Sequence, residues 1–325
     1  MTTGPAPELQ SLGAGDFASL PPRARREAIA PRARRPRARV LRPYGYIAPL
    51  LVWWGMIIAY PLVRAIYLSF TNSSPLAPTT TFVGLSNFES IFAGGATTTA
   101  VEFTVVFALC STAVEILAGT ILALLFSRLR PGFGWLIGVV MIPWAISEIV
   151  TATAGAWLFN AQFGMVNGVL HALFGIRPVW LSNVTLARLA LILMNSWEFT
   201  PLAFLFILTA LTNVPRDLVE QATVDGAGNL KTYQHVHWHI VKPVVLGIAT
   251  FVTAINIVAF ALPYEMTGGA PGTSTLLVAY QVYVLAIPGL QYAQGAALGL
   301  VILAMVLVVA GTGGLLLRRA ERRLA

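Results

Sequence analysis

Five carboxylates stand out for the chemistry they could do, because Glu102, Glu115, Glu148, Glu198 and Glu265 all fall in or at the ends of long apolar runs. An ionised carboxylate at the centre of a bilayer costs about 3 kcal/mol, so such groups must face protein, water or a pathway. Glu102 and Glu265 fall towards the outer ends of their runs. Glu115, Glu148 and Glu198 fall near mid-depth, where alternating-access proteins hold their cargo. Glu198 has Asn195 and Trp197 as neighbours. A ring beside amide and carboxylate acceptors suits a polyhydroxylated solute, which needs a face to stack on and partners for its hydroxyls. Asn256 and Tyr264, on the fifth run and its end, are further candidates for the same cavity. The competing role for all five of Asn195, Trp197, Glu198, Asn256 and Tyr264 is glue between helices.

Other chemistry is sparse. His235, His237 and His239 alternate, which on a strand would align three imidazoles for zinc. On a helix they diverge, and only His235 and His239, four apart, share a face. A docking or interfacial role is therefore expected for them, and no metal; His171 reads as an ordinary surface residue. A single cysteine, Cys110, excludes a disulfide framework and a cysteine metal site. No phosphate-binding loop is present either, since Lys231-Thr232 follows Leu230 where such a loop requires glycine. With the acids scattered and no nucleophile beside a base, no catalytic residue and no cofactor of its own is expected.

The elements that must position these residues are set by the solvent. Of the 325 residues, 57% are hydrophobic and 10% charged, which is the balance of a membrane protein. Six runs are long enough for a hydrocarbon core of about 30 Å; they cover residues 47–70, 99–127, 135–159, 186–211, 244–263 and 292–317. None carries the charged stripe of a helix on a soluble core. Basic residues fix the orientation, because short cytoplasmic connections hold the positive excess. Nine arginines lie between Arg23 and Arg42, two at Arg128 and Arg130, three basic residues at Arg216, Lys231 and Lys242, and four at Arg318, Arg319, Arg322 and Arg323. Residues 71–98 and 266–291 have none, and Arg177 stands alone between the third and fourth runs. Both termini are therefore expected on the cytoplasmic side.

This reading predicts an all-α membrane protein with a basic, disordered tail over residues 1–43, a membrane domain over 44–317 and a short tail over 318–325. In the N-terminal tail arginine and proline alternate without aromatic or amphipathic pattern, so a topology-fixing tail on anionic lipid is expected in place of a nucleic-acid arm. The run that follows is too long for a cleaved leader. Two further apolar segments are expected to lie outside without crossing: residues 276–290, with Tyr280 and Tyr283 at headgroup level, and residues 164–180 as an amphipathic piece.

The connection over 212–243 is patterned. Asn213 and Pro215 predict a helix start, Leu218 and Ala222 recur at four-residue spacing, and Asp225-Gly226 ends the run. A second helix is expected from Asn229, with Leu230, Tyr233, His237 and Ile240 on one face and Pro243 at the start of the next span. Two amphipathic helices with little of this chain to pack on call for a partner groove.

Here the sequence resembles a known family, the membrane subunits of binding-protein-dependent importers. Their cytoplasmic signature, E-A-A, three residues, then D-G-A, is met by Glu220-Gln221-Ala222 through Asp225-Gly226-Ala227, with Gln221 in place of the middle alanine. His239 stands where the family has the first of two prolines, so the second helix is expected to run on. Residues 82–88, 164–167, 197–201 and Thr267-Gly268-Gly269-Ala270-Pro271 are similar to further family elements, the last to a loop of the larger permease in maltose- and glycerol-phosphate-type systems. The resemblance implies a type I importer transmembrane domain of six spans in a bacterial cytoplasmic membrane. It implies pairing with a second permease, two ATPases that bind ATP and Mg, and an extracytoplasmic solute-binding protein. It also assigns coupling to the ATPases to Glu220, Ala222, Asp225, Gly226 and Ala227, and a structural role to Glu115. A sugar-like cargo is expected. An ion-coupled secondary transporter would also account for six spans and mid-depth acids, but has no need of the 212–243 hairpin.

Overall fold

The computed structural model describes residues 47–76, 79–128 and 132–322. The basic tail over 1–43, Arg130 and Arg323 lie outside the described residues. By internal contacts the chain divides into two units, residues 1–61 and 62–325. In the first, residues 47–61 are helical and wholly exposed, with a π-helical stretch at Gly55–Ala59. That helix ends at Ser69, giving α1 (Ile47–Ser69), 23 residues with an apolar surface suited to lipid.

The second unit is helical throughout its named elements, with one isolated bridge, Thr71 to Phe82, among the described residues. In order these are α2 (Ser86–Ala93), α3 (Ala96–Phe126), α4 (Trp135–Ala145), α5 (Glu148–Leu158), α6 (Met165–Phe174) and α7 (Val184–Thr212). There follow α8 (Arg216–Val224), α9 (Asn229–Thr232), a π-helical turn (Tyr233–His237) leading into α10 (Trp238–Ile257), then α11 (Ala261–Met266), α12 (Val278–Ala286) and α13 (Tyr292–Glu321). Five helices are long and apolar enough to cross a bilayer: α1, α3, α7, the continuous Tyr233–Ile257 helix and α13.

The predicted third span differs from the observed one. It is two helices, α4 and α5, bent by 87° about Ile146-Ser147. Pro143 lies in the last turn of α4, where it removes a backbone donor, and Ile146 and Ser147 are both extended. The fifth run is also interrupted: α10 stops at Ile257, and Tyr264 belongs to the separate short helix α11. Asn213 does not start α8; its amide donates to the Thr209 carbonyl at the end of α7, and α8 begins after the extended Pro215. Tyr280, of the segment expected along the outer interface, is buried against this chain's own residues, its ring edge-on to Phe260 at 5.8 Å. The predicted start at Asn229 is observed, and the helix runs past His239 into α10 without a break.

Packing centres on α3, α7 and α10. Asn183 starts α7 by accepting hydrogen bonds from the amides of Thr185 and Leu186 at 3.0 and 3.1 Å. Helices in lipid gain little from hydrophobic exclusion and need close contact, which small residues permit. Gly119 of α3 meets α7 so closely that a Cβ there would lie 2.8 Å from the Phe204 amide nitrogen. Gly313 of α13 lies equally tight against Thr250 of α10. Around these approaches one core gathers Phe103, Phe107, Leu191, Met194 and Leu262, and a second gathers Phe204, Ile207, Val241 and Val252.

Candidate functional site

The predicted cavity residues separate into three places. Asn195 of α7 and Asn256 of α10, with 2% and 0% of their surface exposed, converge on Glu115 of α3. Asn195 Nδ2 donates to Glu115 Oε1 at 2.9 Å and to Asn256 Oδ1 at 2.8 Å. Asn256 Nδ2 donates to Glu115 Oε1 and Oε2 at 3.2 and 3.3 Å and to Thr112 Oγ1 at 3.2 Å. Thr253 Oγ1 spends its proton on the Ala249 carbonyl at 2.7 Å, so at the 3.0 Å contact Thr112 is the donor and Thr253 the acceptor. Every amide hydrogen in this knot has an acceptor. It joins three helices through polar atoms, as buried groups in lipid require.

Glu198 lies elsewhere, beside Glu148 and Thr151 of α5, and is 5% exposed. Glu148 Oε1 accepts from the amides of Ala261 and Leu262 at 3.2 and 3.4 Å, satisfying the first donors of α11 after the break at 258–260. Trp197 is 46% exposed and continues a stripe of α7 through the exposed Leu189 and Leu193. Tyr264 is 39% exposed; its ring stacks on Phe260 at 5.3 Å and meets Tyr280 and Tyr283 edge-on at 5.4 and 5.6 Å. Glu102 and Glu265 are exposed.

Arg188 was not among the expected site residues. Its Nε donates to the Ser274 carbonyl at 2.7 Å, and its guanidinium lies 4.7 Å from the Phe103 ring centre. It thereby ties α3 and α7 to the 267–275 loop, which Thr267 and Thr275 close through a 2.8 Å hydroxyl contact. The signal was a lone arginine inside an apolar run, a position where a cation must find a carbonyl or a ring.

The D-G-A signature has a local physical reason. The Ala227 amide donates to the Ala222 carbonyl at 2.9 Å and the Gly226 amide to the Thr223 carbonyl at 3.0 Å. This is the two-bond closure of a helix whose following residue is left-handed, and Gly226 has φ +77°. Ala222, Gly226 and Ala227 are therefore the residues that end α8 and reverse the chain. Asp217, Glu220, Gln221, Val224 and Asp225 line an outward concavity of about 480 Å³ on the same hairpin. Its lining is acidic and includes the exposed Val224. His235 and His237 hold main-chain carbonyls of Lys231 and Thr232 through Nδ1 at 2.9 and 3.4 Å, and His237 stacks on Tyr233.

A bundle of span-length helices with polar knots at its interior and an acid-faced helical hairpin beyond them is the architecture of a multi-pass membrane permease. The chain belongs to the family of binding-protein-dependent transport system inner membrane components, whose family model matches residues 115–325. It is 30% identical over 268 residues to the trehalose/maltose transport system permease protein MalF of Thermococcus litoralis, covering 81% of this chain and 89% of that one. It is 31% identical over 265 residues to the sulfoquinovosyl glycerol transport system permease protein SmoG of Agrobacterium fabrum, covering 81% and 86%. Its fold is similar, with a TM-score of 0.73 at 18% identity, to a chain of a bacterial alginate ABC transporter in complex with alginate pentasaccharide-bound periplasmic protein; 87% of this chain and 96% of that one are covered.

Proposed function

We propose that this chain is one permease subunit of an ATP-driven importer for a sugar or sugar-like solute. The observation that carries the reading is the α8–α9 hairpin: a closed helical element that presents acids and an apolar side chain with nothing among the described residues to receive them. Paired ATPases that bind ATP and Mg would receive it, with Glu220 and Asp225 offering charge-assisted bonds and Ala222, Gly226 and Ala227 setting the angle at which the lever leaves the membrane. A second permease completes the passage, and an extracytoplasmic binding protein delivers the solute. Sugar-like cargo is supported by the trehalose/maltose and sulfoquinovosyl glycerol transport of the relatives and by the open rings of Trp197 and Tyr264, which we assign to solute contact. Glu198 lies one residue from that path. Asn195 and Asn256 we assign to holding helices together around Glu115.

Six crossings with both termini and the hairpin on the cytoplasmic side fit the same geometry. The ends of α3 and α7 share one concavity with the hairpin, so these two helices run the same way. Only the bent α4–α5 pair is available to return the chain between them. The test is Gly226→Pro in the complete transporter reconstituted in vesicles. Proline is fixed near φ −65° and cannot adopt the left-handed geometry. The complex is expected to assemble while ATP hydrolysis no longer responds to the loaded binding protein; full transport-linked hydrolysis by the variant overturns the lever.

A further inference from the structure

The hairpin has an inner face as well as an outer one, and the two differ in charge. Its outer concavity is lined by Asp217, Glu220 and Asp225. Its inner side closes a separate cavity of about 530 Å³ against the ends of α3 and α7, and none of the described residues lining it is acidic. Among the described residues, Arg128 and His237 supply the only ionisable nitrogens lining it, together with the four aliphatic hydroxyls of Ser127, Thr212, Thr223 and Thr232 and the phenol of Tyr233, a further donor for an anion. Each of these four hydroxyls already donates its proton to a main-chain carbonyl in its own stretch of chain: Ser127 to Leu124, Thr212 to Thr209, Thr223 to Val219, and Thr232 to Gly228. What they offer a guest is therefore lone pairs. His237 is committed through Nδ1 to the Thr232 carbonyl, which leaves Nε2 as its available nitrogen.

A guanidinium with no carboxylate among the described residues lining its cavity selects an anion, and phosphate suits its fork. A set of acceptor-only hydroxyls selects a guest that brings hydroxyl donors. We propose that this cavity binds a hydroxylated phosphate ester, its phosphate on Arg128 and its hydroxyls on the threonines, wedged between hairpin and bundle. Two sources share this chemistry: the headgroup of phosphatidylglycerol, which the position of Arg128 just past the end of α3 would meet in the membrane, and a soluble sugar phosphate.

The test uses the full chain co-purified with its partner subunits in nanodiscs, and binding is read directly, not through uptake. Native mass spectrometry scores retained phosphatidylglycerol against phosphatidylcholine, and equilibrium dialysis measures labelled glucose 6-phosphate and inorganic phosphate. Removal of the guanidinium in Arg128→Gln should weaken whichever ester binds by about tenfold, the loss of one charge-assisted contact. Thr223→Val, at an exposed helical position that leaves folding intact, should lower affinity for the ester but not for inorganic phosphate. Arg319→Gln, at the end of α13 and outside the cavity, should change nothing. Retention of the lipid alone, or binding of the soluble ester alone, identifies the source. Equal binding by wild type and Arg128→Gln, or an effect of Arg319→Gln as large as that of Arg128→Gln, overturns the site.

Discussion

At the scale of single residues, the knot around Glu115 and the open rings of Trp197 and Tyr264 demand different behaviour. Glu115 is buried with both carboxylate oxygens held by amides. Replacing Asn256 with leucine strips Glu115 of one of its two amide partners and leaves the Asn195 amide without its second acceptor. A buried polar group without a partner costs about 1 to 3 kcal/mol, so Asn256→Leu should lower the melting temperature of the purified complex by several degrees. Glu115→Gln keeps an acceptor in place and should cost under about 1 kcal/mol, in line with measured hydrogen bonds between membrane helices. An unchanged melting temperature in Asn256→Leu would show that the knot does not join the helices. For Trp197 the expectation is reversed. Its ring is half exposed, so Trp197→Ala should leave the melting temperature unchanged while raising the apparent KM for solute about fivefold, the worth of one stacked ring. A variant with unaltered uptake removes Trp197 from the path. Tyr264→Ala should change both readouts, because its ring also supports Phe260, Tyr280 and Tyr283.

At the scale of elements, close approach decides what is tolerated. Gly119 faces the backbone of α7, and the Phe204 amide has no flexible end that can yield. Gly119→Ala should therefore push α3 from α7 and cost about 1 to 3 kcal/mol, as overpacking does, read as a lower yield of assembled complex. Gly138→Ala, on α4 where nothing lies near the added carbon, is the matched control and should be silent. A silent Gly119→Ala would mean that α3 and α7 are not in contact at this point.

What the sequence made readable follows from the same physics. Length and apolarity place α1, α3, α7 and α13 within a few residues of their observed bounds, because hydrocarbon admits little else. The bend between α4 and α5 was hidden, since hydropathy carries no direction and both halves are apolar; Pro143 was its one local sign. Asp225-Gly226 was readable as a turn because a left-handed residue has few sequence solutions. Which polar residues would meet was not readable. Asn195 and Trp197 are two apart and so on different sides of α7, and only the packing of α3 and α10 brings Asn195 and Asn256 to Glu115 and leaves Trp197 open.

At the scale of the whole molecule, the question is how many times the chain crosses, and the bent α4–α5 pair decides it. If that pair is a return crossing, the ends of α3 and α7, the hairpin and the end of α13 share one face of the membrane. If it is a re-entrant loop, α3 and α7 run in opposite senses, and Arg128 and the hairpin cannot line the one cavity that they do line. Sidedness can be read chemically, since Cys110 is the single cysteine and Cys110→Ser gives a clean background. In that background Asp225→Cys and Arg128→Cys should react with a membrane-impermeant maleimide only when the cytoplasmic face is open to it. Gly168→Cys, on α6, and Gly272→Cys, in the loop before α12, should react only from the opposite face. Labelling of Gly168→Cys from the same side as Arg128→Cys would make the α4–α5 pair re-entrant and leave five crossings. The hairpin and the end of α3 would then stand on opposite faces, and a lever on one side could not act on the bundle through the cavity they share.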